Sequence, residues 1–241
     1  MDWKEIKEDI DKAVADVCIQ IIKEPLIYFS EADIQQLLVE GLRKKEPFGK
    51  SYPTSVHKGK ESKSIYKTSL LHREYGGGEG TRIDIVVFDP EDVKNIDNVN
   101  LTNDKQYLSP IFAFELGTEK TSDIADHVEG DLKKLSKCIK KEGTGYLIHF
   151  YKDVTQAQTG TRSRDNTEAK IEREFKQAFN TKQTKQMMNV KILAILLRTY
   201  RNQKKMRGKC EIFNGQEWIK TNVSSDDKLL CAIQKQLACP E

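Results

Sequence analysis

Two short apolar segments, each carrying one acidic residue, decide the predicted fold of this chain. The first is Arg82-Ile83-Asp84-Ile85-Val86-Val87-Phe88, and the second is Ile111-Phe112-Ala113-Phe114-Glu115-Leu116-Gly117. Both are rich in β-branched and aromatic residues, so both are predicted to be β-strands buried on at least one face. A carboxylate inside such a strand requires a partner, because an unpaired buried charge is unfavourable.

The two carboxylates, Asp84 and Glu115, are expected to lie close together on neighbouring strands. At about 4 Å, two like charges repel by roughly 1 kcal/mol in water and by about 4 kcal/mol near a protein surface. A cation has to offset that repulsion. Mg²⁺ is usually held by one or two carboxylates together with phosphate and water, so a site for Mg²⁺ (or Mn²⁺) is predicted here.

Composition limits the class of protein. The chain has 241 residues, which suits one large domain or a domain with an appendage. Its 5 cysteines include no Cys-x-x-Cys pair, which favours reduced thiols and a cytoplasmic location over a disulfide framework or a zinc site. The aliphatic run Ile192–Leu197 is too short to cross a bilayer, and the charged N-terminus does not resemble a signal peptide, so no membrane partner is expected.

Charge is distributed unevenly along the chain. Nine basic residues and no acidic ones lie between Lys182 and Lys209, and nine basic against two acidic residues lie between Arg43 and Arg73. The segment from Glu79 to Asp131 has thirteen acidic and four basic residues. Basic zones around an acidic centre suit a ligand with a phosphate backbone, and an ordinary lysine-rich surface is the alternative for either zone alone.

Hydrophobic periodicity predicts an α/β fold with a mixed β-sheet. Helical crossovers make neighbouring strands parallel and hairpins make them antiparallel, and the chain shows signals for both. We expect one domain over residues 1–241, with its core at about 30–200 and a loop over 46–65. The predicted flanking elements are an N-terminal helix at 4–28, helices at about 122–141 and 169–188, strands at 145–151 and 190–197, and a C-terminal hairpin and helix within 209–238.

The chain resembles the PD-(D/E)XK nuclease superfamily. The resemblance rests on the two acidic strands, on Ser30–Leu38, which is similar to the family's first core helix, and on His72–Tyr75, which is similar to the strand before the family's Asp. Gly130–Leu135 is similar to the helix after the Glu strand. The match covers about residues 30–150 and implies a restriction-endonuclease-like core, in which helices flank a mixed β-sheet.

The resemblance implies a metal-dependent nuclease that cleaves DNA phosphodiester bonds, in the manner of a restriction or repair endonuclease. RNA stays open as a substrate, and a homodimer stays open as an assembly. Asp84 and Glu115 would hold one or two Mg²⁺ ions. Glu31 would be a further ligand or would bind a metal-bound water, and Glu40 is its alternative if the helix is phased differently.

The family's lysine, two residues after Glu115, is replaced here by Gly117. That lysine positions or activates the attacking water in the family. The lysines that could replace it are Lys120, just past the strand, and Lys133 or Lys134 on the next helix. Arg82 could add positive charge on the Asp84 face. The basic zones would hold the nucleic-acid backbone through Lys58, Lys60, Lys63, Arg198, Arg201, Lys204 and Lys205.

Two other functions are compatible with the same residues. Gly117 favours a catalytically inactive nucleic-acid-binding or partner-binding module of the same fold. An unrelated acidic pocket, such as that of a small-molecule phosphohydrolase, would explain the carboxylates without any affinity for DNA. Asp84 and Glu115 could also be structural, with Arg82 pairing one of them. The four histidines, His57, His72, His127 and His149, show no metal-ligand spacing.

Overall fold

A computed structural model describes residues 3–24, 27, 30–58, 62–76, 82–94, 108–119, 124–153, 173–179, 191–202, 205–213, 218–221 and 231. The helices are α1 (Trp3–Lys23), α2 (Glu31–Arg43), α3 (Glu46–Gly49), α4 (Pro90–Lys94) and α5 (Ile124–Cys138). The strands are β1 (Tyr52–Lys58), β2 (Ser62–Thr68), β3 (Leu71–Gly76), β4 (Arg82–Val87), β5 (Phe112–Glu119), β6 (Thr144–Asp153), β7 (Lys191–Asn202), β8 (Lys205–Phe213) and β9 (Trp218–Thr221). Residues 173–179 are also helical.

Seven strands, β3 to β9, form one sheet in chain order. β3, β4 and β5 pair antiparallel, β5, β6 and β7 pair parallel, and β7, β8 and β9 pair antiparallel again. The helical crossover α5 explains the parallel pairing of β5 with β6. The predicted mixed α/β sheet and C-terminal hairpin are therefore confirmed. The closing helix falls almost entirely outside the described residues, and the single-domain division stays a prediction.

Helices cover both faces of the sheet. The Tyr146 hydroxyl in β6 donates a hydrogen bond to Oδ1 of Asp11 in α1 (2.6 Å). Nε2 of His149, also in β6, lies 3.4 Å from Oδ2 of Asp131 in α5. Because successive strand residues point to opposite faces, residues three positions apart also do. Helix α1 therefore packs on one face and α5 on the other, and Asp131 of α5 reaches the sheet from the second face.

The apolar stripe of α1 explains why it packs against the sheet. Its apolar side chains recur at three- and four-residue spacing, so one face of the helix is buried. The helix ends at Lys23 rather than at residue 28, because Pro25 disfavours helical geometry in the residue before it. The buried members of the stripe are Ile6, Ile10, Val14, Val17 and Ile21.

The predicted loop at residues 46–65 is wrong. The segment forms the short helix α3, the strand β1 and the first part of β2, and β1 pairs antiparallel with β2 from Tyr52↔Thr68 to Lys58↔Ser62. This two-stranded sheet is separate from the seven-stranded one. Frequent lysines and serines hid the β-forming residues Val56, Ile65 and Tyr66, whose strand preference the register satisfies.

The Asp11–Tyr146 pair gives a test of the packing between α1 and β6. Both side chains are buried, and burial raises the pKa of Asp11. Tyr146→Phe should lower the free energy of unfolding by about 1–3 kcal/mol, because it leaves Oδ1 of the buried Asp11 side chain without its hydrogen-bond donor. Urea unfolding measures this change.

The control for that experiment is Lys7→Ala. Lys7 Nζ also approaches Asp11, at 3.3 Å to Oδ2, but its side chain is partly exposed. The Lys7 variant should therefore lose less than about 1 kcal/mol. A larger loss for Lys7→Ala than for Tyr146→Phe would contradict the assignment of the tyrosine as the main partner.

Candidate functional site

The strands β4 and β5 separate at the two acidic residues. Their ladder runs from Val87↔Phe112 to Ile85↔Phe114, and the next pair in register would be Asp84 and Glu115. In place of that pair, the main-chain N–H of Leu116 donates a hydrogen bond to Oδ2 of Asp84 (2.7 Å). The Asp84 carboxylate thus accepts the hydrogen bond that a main-chain carbonyl would accept in a continuous ladder. The two strands separate beyond this point.

The point where β4 and β5 separate, between Asp84 and Glu115, is called the opening below. Glu115 is the buried acidic residue on its β5 side. Its side chain is 2% exposed, and Oε2 accepts a hydrogen bond from Nζ of Lys134 (3.0 Å). Oε1 is buried and has no hydrogen-bond partner among the described residues. Burial, followed by the charges of Asp131 and Asp84, raises the pKa of Glu115 well above its ordinary range. An oxygen in this state favours a cation or a proton as its partner.

Lys134 reaches the site from α5. Its Nζ lies 3.0 Å from Oε2 of Glu115 and 2.8 Å from Oδ1 of Asp131, so two carboxylates share one ammonium group. Burial opposes the charge of Lys134, but the hydrogen bond and charge of Asp131, followed by those of Glu115, raise its pKa. Lys134 therefore stays protonated and faces the acidic strand.

A buried aspartate supports Lys134 from behind. Asp131 is 1% exposed, and its Oδ2 lies 3.4 Å from Nε2 of His127 and 3.4 Å from Nε2 of His149. Burial opposes ionisation of this carboxyl group, but its interactions with His149 and then Lys134 hold its pKa below the ordinary value. The sequence interpretation did not include Asp131, although it lies between Val128 and Leu135 on the apolar stripe of α5, where a charge is unusual.

Glu31 lies in the first turn of α2, which a capping box between Ser30 and Asp33 begins. Burial raises the pKa of Glu31, and the charges of His127 and Asp131 act on it in opposite directions. The Glu31 carboxyl group thus lies within electrostatic reach of α5. Its sequence alternative, Glu40, is exposed and accepts a hydrogen bond from Nε2 of Gln36 (2.7 Å).

A glutamine that the sequence interpretation did not include holds the main chain at Asp84. Nε2 of buried Gln35 donates to the carbonyl oxygen of Asp84 (2.9 Å) and to Oε1 of Glu74 (2.8 Å). Its Oε1 accepts from Nε of Arg73 (3.1 Å). Glu74 has a φ of 49°, and the β3–β4 ladder omits its pair with Asp84. The glutamine amide therefore takes the place of a missing ladder contact.

The remaining predicted residues are placed as follows. Arg82 is exposed at the start of β4, and Lys133 forms an ion pair with Glu129 (2.7 Å) on α5 rather than meeting Glu115. Gly117 is buried and pairs with His149 across β5 and β6. Lys60, Lys120 and Lys204 lie outside the described residues. The structure places the main chain, but not the side chains, of Lys58, Lys63, Arg198, Arg201 and Lys205 in strands β1, β2, β7 and β8.

The donor set fits a hard cation only in part. Among the described residues, no group of three or more His, Cys, Asp and Glu side chains is placed to hold a metal ion. Asp84 and Glu115 offer two carboxylates, and Oε1 of Glu115 is a buried acceptor without a donor. Mg²⁺ commonly takes its other ligands from water and phosphate, so two carboxylates suffice for such an ion.

Comparisons with known proteins assign no family. No family model matches the chain, and no curated protein matches it. A solved structure of the central domain of yeast acetyl-CoA carboxylase matches with a TM-score of 0.33 and 12% identity. That match covers 97% of this chain and 31% of the other, and a likeness of this size carries no argument about fold or function. No helix among the described residues is long and apolar enough to cross a membrane.

The pKa of Asp84 gives a pH-dependent test of the site. Burial is the main cause that raises it from 3.8 to about 6, with Glu31 and Asp131 contributing and the Leu116 N–H opposing. The folded protein therefore binds a proton that the unfolded chain releases, so this group's contribution to stability falls as pH rises from about 4 to 6. Two pKa units correspond to a loss on the order of 2–3 kcal/mol.

Urea unfolding in EDTA, at several pH values across this window, measures the effect. Asp84→Asn removes the charge and keeps an acceptor for the Leu116 N–H. The variant should gain stability relative to the wild-type protein as pH rises from about 4 to 6. Parallel pH profiles for the two proteins would contradict the raised pKa.

Proposed function

We propose that this chain has a restriction-endonuclease-like fold and is a PD-(D/E)XK nuclease that hydrolyses DNA phosphodiester bonds with Mg²⁺ or Mn²⁺. The observation that carries the proposal is the convergence of Asp84, Glu115 and Lys134 where β4 and β5 separate. The chain order of α2, β3, β4, β5 and α5 is also the order that the sequence resemblance implied. Together they supply two carboxylates and one ammonium group, the functional groups that the resemblance requires.

Asp84 and Glu115 would hold the metal ion. The Leu116 N–H and the Gln35 amide fix Asp84 from two sides, so its carboxylate needs little reorganisation on binding. Glu115 keeps one buried oxygen, Oε1, for the ion while Oε2 stays on Lys134. When bound, a divalent ion lowers the pKa of a coordinated water and offsets the charge of the phosphate.

Lys134 would take the role of the family's lysine, whose position Gly117 occupies here. Several carboxylates in one opening repel a phosphodiester, so an anionic substrate requires positive charge beside them. Lys134 presents its ammonium group next to Glu115, and its raised pKa keeps it charged at neutral pH. It would orient the attacking water and neutralise charge on the phosphate. The basic zones, including the exposed Arg82, would hold the nucleic-acid backbone.

The inactive binding module of the same fold is the second candidate. The observation in its favour is the ion pair itself, because Lys134 already neutralises Glu115 without a metal ion. In that case DNA or another partner would bind without being cleaved.

Cleavage of supercoiled plasmid with Mg²⁺ or Mn²⁺ tests the proposal. The variants Asp84→Asn, Glu115→Gln and Lys134→Ala should each lower the cleavage rate by about 100-fold or more. Lys133→Ala is the matched control, because its partner is Glu129, and should keep a rate near wild type. Lys120→Ala tests the remaining sequence candidate, which lies outside the described residues.

Each other outcome selects a different function. Equal rates in all variants would rule out the site. A wild-type protein that shifts DNA in a gel at two salt concentrations, but never cleaves it, would favour the inactive module. A protein that binds no DNA would favour a small-molecule phosphohydrolase.

Moving the lysine back to the strand gives a second test. Gly117 pairs with His149, whose side chain faces α5, so a side chain at 117 would enter the same space. In the Lys134→Ala background, Gly117→Lys should raise the cleavage rate at least tenfold. Gly117→Met in the same background has a similar length but no charge, and should restore nothing. Equal rates for the two folded double variants, checked by circular dichroism, would contradict the role of Lys134.

A further inference from the structure

We propose that Asp131, which lies against His149 of the sheet, is a positioning residue that holds Lys134 against Glu115. The inference rests on the proposed nuclease function, because it assigns to Asp131 a part in placing the catalytic lysine. Asp131 itself would not touch the substrate.

The burial of Asp131 shows that it requires cationic partners. Its flanking neighbours on α5, Val128 and Leu135, belong to the hydrophobic core, and a lone carboxylate is strongly disfavoured in such a place. Its two oxygens have different surroundings: Oδ1 accepts a hydrogen bond from Lys134, whereas Oδ2 lies 3.4 Å from Nε2 of His127 and of His149 without a hydrogen bond among the described residues. The carboxylate therefore links the site to β6, rather than pairing with lysine alone.

The contact with Asp131 is what would keep Lys134 in place during the reaction. Lysine has a flexible four-carbon stem, and the Lys134 side chain is 33% exposed. A single hydrogen-bond partner would therefore leave its ammonium group free to move away from the site. Its second anchor, Glu115, would share its charge with the metal ion once that ion binds. Asp131 is buried behind the lysine and accepts its hydrogen bond at 2.8 Å, and a metal ion on Glu115 would leave this contact in place.

The residue of the sheet that approaches Asp131 is the neighbour of Gly117. His149 is fully buried in β6, beside Gly117 in β5, and its ring packs edge-on against Phe175 at 5.5 Å. Adjacent residues on parallel strands point to the same face, so a side chain at 117 would lie beside His149 under α5. The glycine leaves that space to the His149–Asp131 pair. Glycine at position 117 of the strand and lysine at position 134 of the helix thus belong to one arrangement.

The first arm of the test observes Lys134 directly and needs no activity. In metal-free protein, the side-chain ammonium signal of Lys134 should be visible in ¹H–¹⁵N spectra because two carboxylates slow its exchange, and it is assigned by its absence in Lys134→Arg. Asp131→Asn should broaden or remove this signal. Asp126→Asn, which removes an exposed charge from the same helix, should leave it unchanged. An unchanged Lys134 signal in folded Asp131→Asn would overturn the proposal.

The second arm measures plasmid cleavage. Asp131→Asn should lower kcat at least tenfold while KM and the Kd for DNA stay within threefold, and Asp131→Glu should recover part of the loss. In the Lys134→Ala background, Asp131→Asn should have no further effect, because both changes remove the same placement. A loss that adds to that of Lys134→Ala would mean a merely structural role and would overturn the proposal. An inactive wild-type protein would instead overturn the nuclease function, and the spectra alone would then decide whether Asp131 holds Lys134.

Discussion

One hydrogen bond, from the Leu116 N–H to Oδ2 of Asp84, marks the constraint on which the site depends. A continuous β4–β5 ladder would pair Asp84 with Glu115 through the main chain and close the sheet between them. Because a side-chain carboxylate takes the N–H instead, the strands diverge and the two acidic groups share one opening. Gln35 fixes the other side of Asp84 through its carbonyl oxygen. Helix α2, through Gln35, and strand β5, through the Leu116 N–H, thus fix Asp84 before any ligand binds.

Charge, rather than shape, gives this opening its chemistry. Asp84, Glu115 and Asp131 lie within electrostatic reach of one another, and burial together with mutual repulsion raises the pKa of the first two. Lys134 offsets part of this repulsion and donates a hydrogen bond to Oδ1 of Asp131, whose Oδ2 lies 3.4 Å from Nε2 of each of the two histidines. Such an arrangement works against stability, so the hydrophobic core as a whole has to compensate for it. Perturbed carboxyl groups of this kind are concentrated at functional sites.

Local sequence signals predicted much of the fold, and tertiary contacts explain most of what they missed. The strands of Asp84 and Glu115, the helix α5 and the C-terminal hairpin follow from periodicity and turn residues. The β1–β2 pair was missed because lysine and serine concealed its alternation. The choice between Lys133 and Lys134 depends on helix phase, since one residue turns a side chain by about 100° around an α-helix. The roles of Gln35, Asp131 and His149 arise from residues distant in sequence, although a charge on the apolar stripe of α5 was a visible signal for Asp131.

The most direct test of this account is anomalous X-ray scattering from a crystal of the protein soaked in Mn²⁺. The account predicts one strong peak within coordination distance of carboxylate oxygens of both Asp84 and Glu115, with Nζ of Lys134 still bonded to Asp131. No peak at this opening, or carboxyl oxygens on opposite faces of the sheet, would contradict it.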